Sequence, residues 1–103
     1  TYIDDVTNIL YLLMNKKLKK SFDIFNICSN NPQSIKKIIN EFRNKISSLK
    51  IKNVPKNKLD VFKTHGDNKK IDKLLKYRIY TNFDEGFKRT FIWYKSINKK
   101  SVF

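Results

Sequence analysis

The sequence predicts an α/β domain built from short strands and about four helices. Apolar residues recur at helical spacing in four segments, and other apolar runs have the composition or the alternation of strands. Each predicted helix has a single apolar stripe, so the elements are expected to pack in layers around one core. The predicted order is βαβαβ, then a loop, then two helices.

Residues 1–5 are interpreted as the end of an extended segment that enters a helix. Asp4 or Asp5 is expected to cap that helix, because a carboxylate can accept hydrogen bonds from its free amides. Residues with the spacing i, i+3, i+4 and i+7 form its apolar face: Val6, Ile9, Leu10 and Leu13. Lysines at 16–20 suit the negative end of the helix dipole.

Residues 21–28 are apolar on both faces and predict a buried strand, which a turn at 29–32 ends. Ser34 is a suitable N-cap for the second helix. Its apolar stripe is Ile35, Ile38, Ile39, Phe42 and Ile46.

Residues 49–54 alternate with a period of two and predict a short strand that Pro55 ends. The loop at 56–66 lacks any apolar period and is long enough to suggest a function. Asp67 is expected to cap a short third helix whose inward side chains are Ile71, Leu74 and Leu75.

An extended connector at 77–80 leads to the last helix, which Thr81 or Asn82 is expected to cap. An aromatic stripe on that helix is interpreted as facing the core or another lobe: Phe83, Phe87, Phe91 and Tyr94. Residues 1–95 are expected to form one domain, and residues 96–103 a basic tail.

The net charge of +14 invites a nucleic-acid interpretation, and a small basic nucleic-acid-binding domain is the competing class. Only three of the 23 basic residues are arginines, the side chain with the planar fork for phosphate and guanine. A solvated lysine-rich surface is therefore favoured. No membrane partner is expected, because the longest apolar run, residues 9–14, is too short to span a bilayer.

Catalytic patterns are absent from the sequence. It has no G-x-G-x-x-G turn for a dinucleotide and no Tyr-x-x-x-Lys pair. His65 is interpreted as a surface or packing residue and Cys28 as a buried free thiol, and these two residues do not have the spacing of a metal site. We therefore predict no catalytic, cofactor-binding or metal-binding residue in this chain.

Six short segments occur in an order, and with gaps, that are typical of one family. They are Thr1-Tyr-Ile-Asp-Asp-Val6, Phe25-Asn-Ile27, Pro32-Gln-Ser34, Asp60-Val-Phe-Lys-Thr-His-Gly-Asp67, residues 69–77, and Phe83-Asp-Glu-Gly-Phe87 with Trp93-Tyr94. Together they resemble the C-terminal part of the extended short-chain dehydrogenase/reductase family. The branch is that of NAD-dependent nucleotide-sugar epimerases and dehydratases, such as UDP-glucose and UDP-glucuronate 4-epimerases. Cys28 stands where that family usually has Gly.

The resemblance implies that a Rossmann domain, absent from this chain, binds NAD and carries the catalytic residues of a cytoplasmic isomerase. Such an enzyme can form a homodimer and supplies sugars for polysaccharide biosynthesis. The present chain would be the lobe that grips the UDP-sugar. The family's Arg-x-Gly-Asp run is matched by Asn57-Lys-Leu-Asp60, so the implied substrate-binding residues are Asp60, Lys56 and Lys58. The aromatic stripe could also dock on a missing lobe or another subunit.

Overall fold

The computed structural model describes residues 1–77 and 79–98, and this part of the chain is all-helical. The four helices are α1 (Ile3–Met14), α2 (Ile35–Lys45), α3 (Lys69–Leu75) and α4 (Phe83–Asn98). None of the described residues forms a β-strand. The predicted α/β class, with short strands at 1–5, 21–28 and 49–54, is therefore wrong.

The segment at 21–28 shows why an apolar, β-rich run does not become a strand here. A strand needs a neighbouring strand to pair with its backbone groups. In this structure, side chains near the start of α3 bind those groups instead. Asn68 Nδ2 donates to the carbonyl of Cys28 at 2.9 Å, and Lys70 Nζ donates to the carbonyl of Ile24 at 2.7 Å. Lys70 also pairs with the Asp23 carboxylate.

The chain divides into two compact units. The first unit comprises residues 1–30 and the described residues from 66 onward, and the second comprises residues 31–65. The first unit contains α1, α3 and α4, and the second contains α2 and the long segment that follows it.

The core of the first unit lies where α1 packs against α3. Ile9 of α1 and Ile71 of α3 have no exposed surface, and they are the fully buried apolar side chains among the described residues. The phenyl rings of α4 line up as the sequence predicts: the centroids of Phe83 and Phe87 are 5.7 Å apart, and those of Phe87 and Phe91 6.1 Å. These three rings are half-buried.

The helix termini follow the predicted capping residues in part. Ser34 Oγ accepts from the amide of Lys37 at 3.1 Å, which confirms it as the N-cap of α2. Asn82 Oδ1 accepts from the amide of Glu85 in the first turn of α4. The expectation that Asp4 or Asp5 caps α1 is wrong, because the helix begins at Ile3 and its N-cap Tyr2 makes no side-chain cap.

The last helix extends further towards the C-terminus than the sequence predicts. The basic tail predicted at 96–103 starts inside α4, and residues 99–103 lie outside the described residues. Among the described helices, none has both the length and the apolar character needed to cross a membrane.

The second unit has no fully buried residue. The apolar stripe of α2 is only half-covered: Ile38 and Ile39 are half-buried, and Phe42 is 38% exposed. After α2 the chain continues without regular secondary structure to the end of this unit, apart from isolated turns. This unit carries the residues that the sequence singles out for substrate binding.

Candidate functional site

The predicted binding residues lie on, or immediately before, one short turn of the second unit. The amide of Asp60 donates to the carbonyl of Asn57 at 3.1 Å, which closes a turn over residues 57–60. The amide of Leu59 donates to Asn57 Oδ1 at 3.0 Å. An asparagine that binds the backbone two residues further on is a common way to open such a turn.

The turn places all three predicted residues at the surface. Lys58 occupies its second position and Asp60 its last, and Lys56 immediately precedes it. The three residues are exposed. Between 56 and 63, three lysines stand against one aspartate, so the turn has a local charge of +2 from 3 − 1.

A cation–π contact joins Lys56 and Phe62, the residues that flank this turn. Lys56 Nζ lies 3.0 Å from the centroid of the Phe62 ring. An ammonium over an aromatic face is attracted by the quadrupole of the ring, and an exposed contact of this kind contributes about 0.5–1 kcal/mol. We refer to Lys56, Asn57, Lys58, Asp60 and Phe62 together as the turn site.

Sequence reasoning missed two members of the turn site. The family resemblance treats Asn57 only as the replacement for an arginine, although asparagine before a turn is a recognisable sequence pattern. Phe62 lies six residues after Lys56, and no helical or strand spacing predicts that two such residues meet.

The other candidate groups lie elsewhere or have structural roles. His65 is exposed, and Cys28 is a half-buried free thiol of the first unit. Gly66 approaches that thiol so closely that a Cβ on Gly66 would lie 2.8 Å from the sulfur. Within residues 1–77 and 79–98, no group of three or more His, Cys, Asp and Glu side chains could hold a metal ion.

The adjacent carboxylates Asp4 and Asp5 diverge, as expected for neighbours on a helix. Asp5 is 4% exposed and accepts from both the amide and the hydroxyl of Thr81, at 2.9 and 3.0 Å. Asp4 is exposed and lies 3.9 Å from Arg89. Asp4 therefore contacts α4, and Asp5 contacts the segment that precedes α4.

Tyr80 is the tyrosine whose ionisation is most strongly shifted among the groups with a resolved shift. Burial raises its pKa from 10.0 to about 12, and the hydrogen bond from its hydroxyl to Asp72 at 2.6 Å acts in the same direction. Both causes favour the neutral phenol, since the ionised form would be desolvated beside a carboxylate.

This shift predicts a loss of stability at high pH. The pKa of Tyr80 is higher in the folded than in the unfolded protein, so the neutral phenol stabilises the fold. This contribution to the free energy of unfolding is fully present below pH 10 and is lost as the pH rises from 10 to about 12. Absorbance at 295 nm measures tyrosinate, and the difference between the wild-type and Tyr80→Phe titrations isolates Tyr80. That difference should appear near pH 12 in the native protein and near pH 10 in urea. A native titration of this residue at pH 10 would contradict its burial.

Comparisons with known proteins leave the family open. No family model and no solved structure matches the chain. The chain is 33% identical over 99 residues to an uncharacterized protein of Methanocaldococcus jannaschii. The match covers 91% of this chain but only 28% of that relative, so the chain spans little more than a quarter of the relative's length.

Proposed function

We propose that this chain is the C-terminal substrate-binding lobe of an NAD-dependent nucleotide-sugar epimerase that acts on a UDP-sugar in the cytoplasm. The turn site carries the proposal, because it presents two ammonium groups and one carboxylate at the surface within five residues. The six segments that resemble this enzyme family support it. The length of the archaeal relative is compatible with a parent protein that has further domains.

The chemistry of the turn site suits the two halves of a nucleoside diphosphate. The ammonium groups of Lys56 and Lys58 attract the diphosphate as point charges. Asp60 would repel phosphate, so it has to face the hydroxyl groups of the ribose or sugar, which can donate to a carboxylate. Binding of the nucleotide in this way orients the reacting sugar without contributing a catalytic group.

In this proposal the NAD and the catalytic residues belong to the rest of the parent enzyme. NAD supplies the reversible hydride transfer when bound there. The turn site of this chain binds and orients the substrate, and it moves no proton or hydride.

The proposal predicts binding without turnover. The purified 103-residue chain with NAD should produce no epimer from UDP-glucose or UDP-glucuronate. UDP should nevertheless shift the amide resonances of residues 56–63 in a ¹⁵N NMR titration. Lys56→Gln with Lys58→Gln should weaken binding at least about tenfold at low salt, since an exposed charge pair contributes on the order of 1 kcal/mol.

A control variant removes two positive charges outside the turn site. Lys16→Gln with Lys17→Gln changes two exposed lysines of the first unit and should leave UDP binding unchanged. Equal losses in both double variants would show non-specific attraction and contradict the proposal. Measurable turnover would also contradict it. Tight binding of generic duplex DNA that falls steeply with salt would favour the nucleic-acid alternative.

A further inference from the structure

Phe62 is the most exposed large apolar side chain among the described residues. Its exposed fraction is 96%, although Lys56 lies over its ring. A phenyl group left in water forgoes the favourable free energy of burial. One face of the ring meets the ammonium group, and the high exposure means that the opposite face is open to solvent.

The contact with Lys56 restricts the ring. Phe62 lies two residues after the last position of the 57–60 turn, and Lys56 lies one residue before the first, so the closed turn brings them together. A ring held in this way loses less conformational entropy when a planar group stacks on it. Lys58, on the turn itself, has no such contact among the described cation–π pairs.

We infer that the open face of Phe62 is a stacking platform for the nucleobase of a nucleoside diphosphate, whose phosphates bind Lys58. This inference rests on the proposed function and assigns Phe62 to the same site. Lys56 then has two roles: it holds the ring and adds positive potential near the phosphates. Asp60, on the same turn, remains available to the ribose hydroxyls.

The chemistry of stacking sets the expected selectivity. Every nucleobase has a π-face, so a phenyl platform tolerates different bases but requires an aromatic one. A nucleotide whose base is saturated but keeps the same hydrogen-bonding groups should therefore lose the contribution of stacking and keep the contacts of its ribose and phosphates.

Three ligands separate the base from the phosphates: UDP, 5,6-dihydrouridine 5′-diphosphate and inorganic pyrophosphate. Titration of the 103-residue chain at low salt should give UDP an affinity about tenfold higher than 5,6-dihydrouridine 5′-diphosphate, since stacking on one aromatic side chain contributes an effect of this order. Pyrophosphate measures the contribution of the phosphates alone. Phe62→Leu should bind UDP and 5,6-dihydrouridine 5′-diphosphate equally, and Phe62→Tyr should keep the preference for UDP.

Phe22→Leu provides the matched control, because Phe22 is 76% exposed and belongs to the first unit. It should bind UDP as the wild-type chain does. Both leucine variants alter exposed rings, and circular dichroism should show unchanged helix content.

The outcomes distinguish the two proposals. Equal binding of UDP and 5,6-dihydrouridine 5′-diphosphate by the wild-type chain, with pyrophosphate also bound, would overturn the stacking platform and leave the phosphate site in place. A preference for UDP over 5,6-dihydrouridine 5′-diphosphate that survives in Phe62→Leu would also overturn it, since another group would then contact the base. Failure of all three ligands to bind would overturn the proposed function and the platform together.

Discussion

Replacing Ile71 with alanine is expected to destabilise the first unit by about 2–5 kcal/mol, because it removes a large apolar side chain with no exposed surface. Ile71 belongs to α3, which has only seven residues and is held by its packing against α1. A helix this short is not stable by itself in water. The loss is a large share of the about 5–15 kcal/mol that stabilises a typical domain. Urea denaturation followed by circular dichroism measures it.

Ile79→Ala is the control for this substitution. Ile79 has the same side chain in the same unit but is 84% exposed, so its replacement should change the free energy of unfolding by no more than about 0.5 kcal/mol. If the two variants lost the same stability, the core would not lie between α1 and α3.

The helices were predictable because their patterns are local. Helical spacing of apolar residues located all four helices, and Ser34 and Asn82 cap their helices through bonds to backbone amides three residues away. Such bonds depend only on residues within one turn. The prediction of where α1 starts was less accurate, because an acidic residue near the start of a helix can be either its N-cap or part of its first turn.

The strands were wrongly predicted because pairing is not local. An apolar run such as 21–28 fits a buried strand by composition, but only a neighbouring strand makes it one. In the described part of the chain, side chains of Asn68 and Lys70 bind carbonyl groups of this segment instead. The sequence contains no pattern that reveals such long-range contacts between side chain and backbone.

The role of Lys56, Lys58 and Asp60 in substrate binding is implied by the family resemblance and stays a prediction. The structure shows that all three residues are exposed. The contact of Lys56 with Phe62 depends on how the 57–60 turn folds, which Asn57 decides through its side chain. The geometry of this turn therefore depends on Asn57, a residue that the family resemblance counts as a departure.

Asp5→Ala is expected to cost about 2–3 kcal/mol, although Asp5 is polar and has no role in the proposed binding site. Its carboxylate accepts two hydrogen bonds from Thr81, a residue 76 positions away in the sequence. Alanine would leave both donors of Thr81 without their partner in a half-buried place, and each unsatisfied group costs about 1–3 kcal/mol. Thermal or urea denaturation measures the change.

A double-mutant cycle with Thr81→Val identifies this pair as the cause. Valine keeps the shape of threonine but removes its hydroxyl, so Asp5→Ala should cost about 1 kcal/mol less in the Thr81→Val background. Asp4→Ala removes a neighbouring, exposed carboxylate and should cost no more than about 0.5 kcal/mol. Both carboxylates lie in the first turn of α1, where a negative charge interacts favourably with the helix dipole. Equal losses of stability in Asp4→Ala and Asp5→Ala would mean that this interaction stabilises α1 and that the bonds to Thr81 contribute nothing. A cost confined to Asp5 and coupled to Thr81 would show that a buried carboxylate fixes the start of α4 against α1.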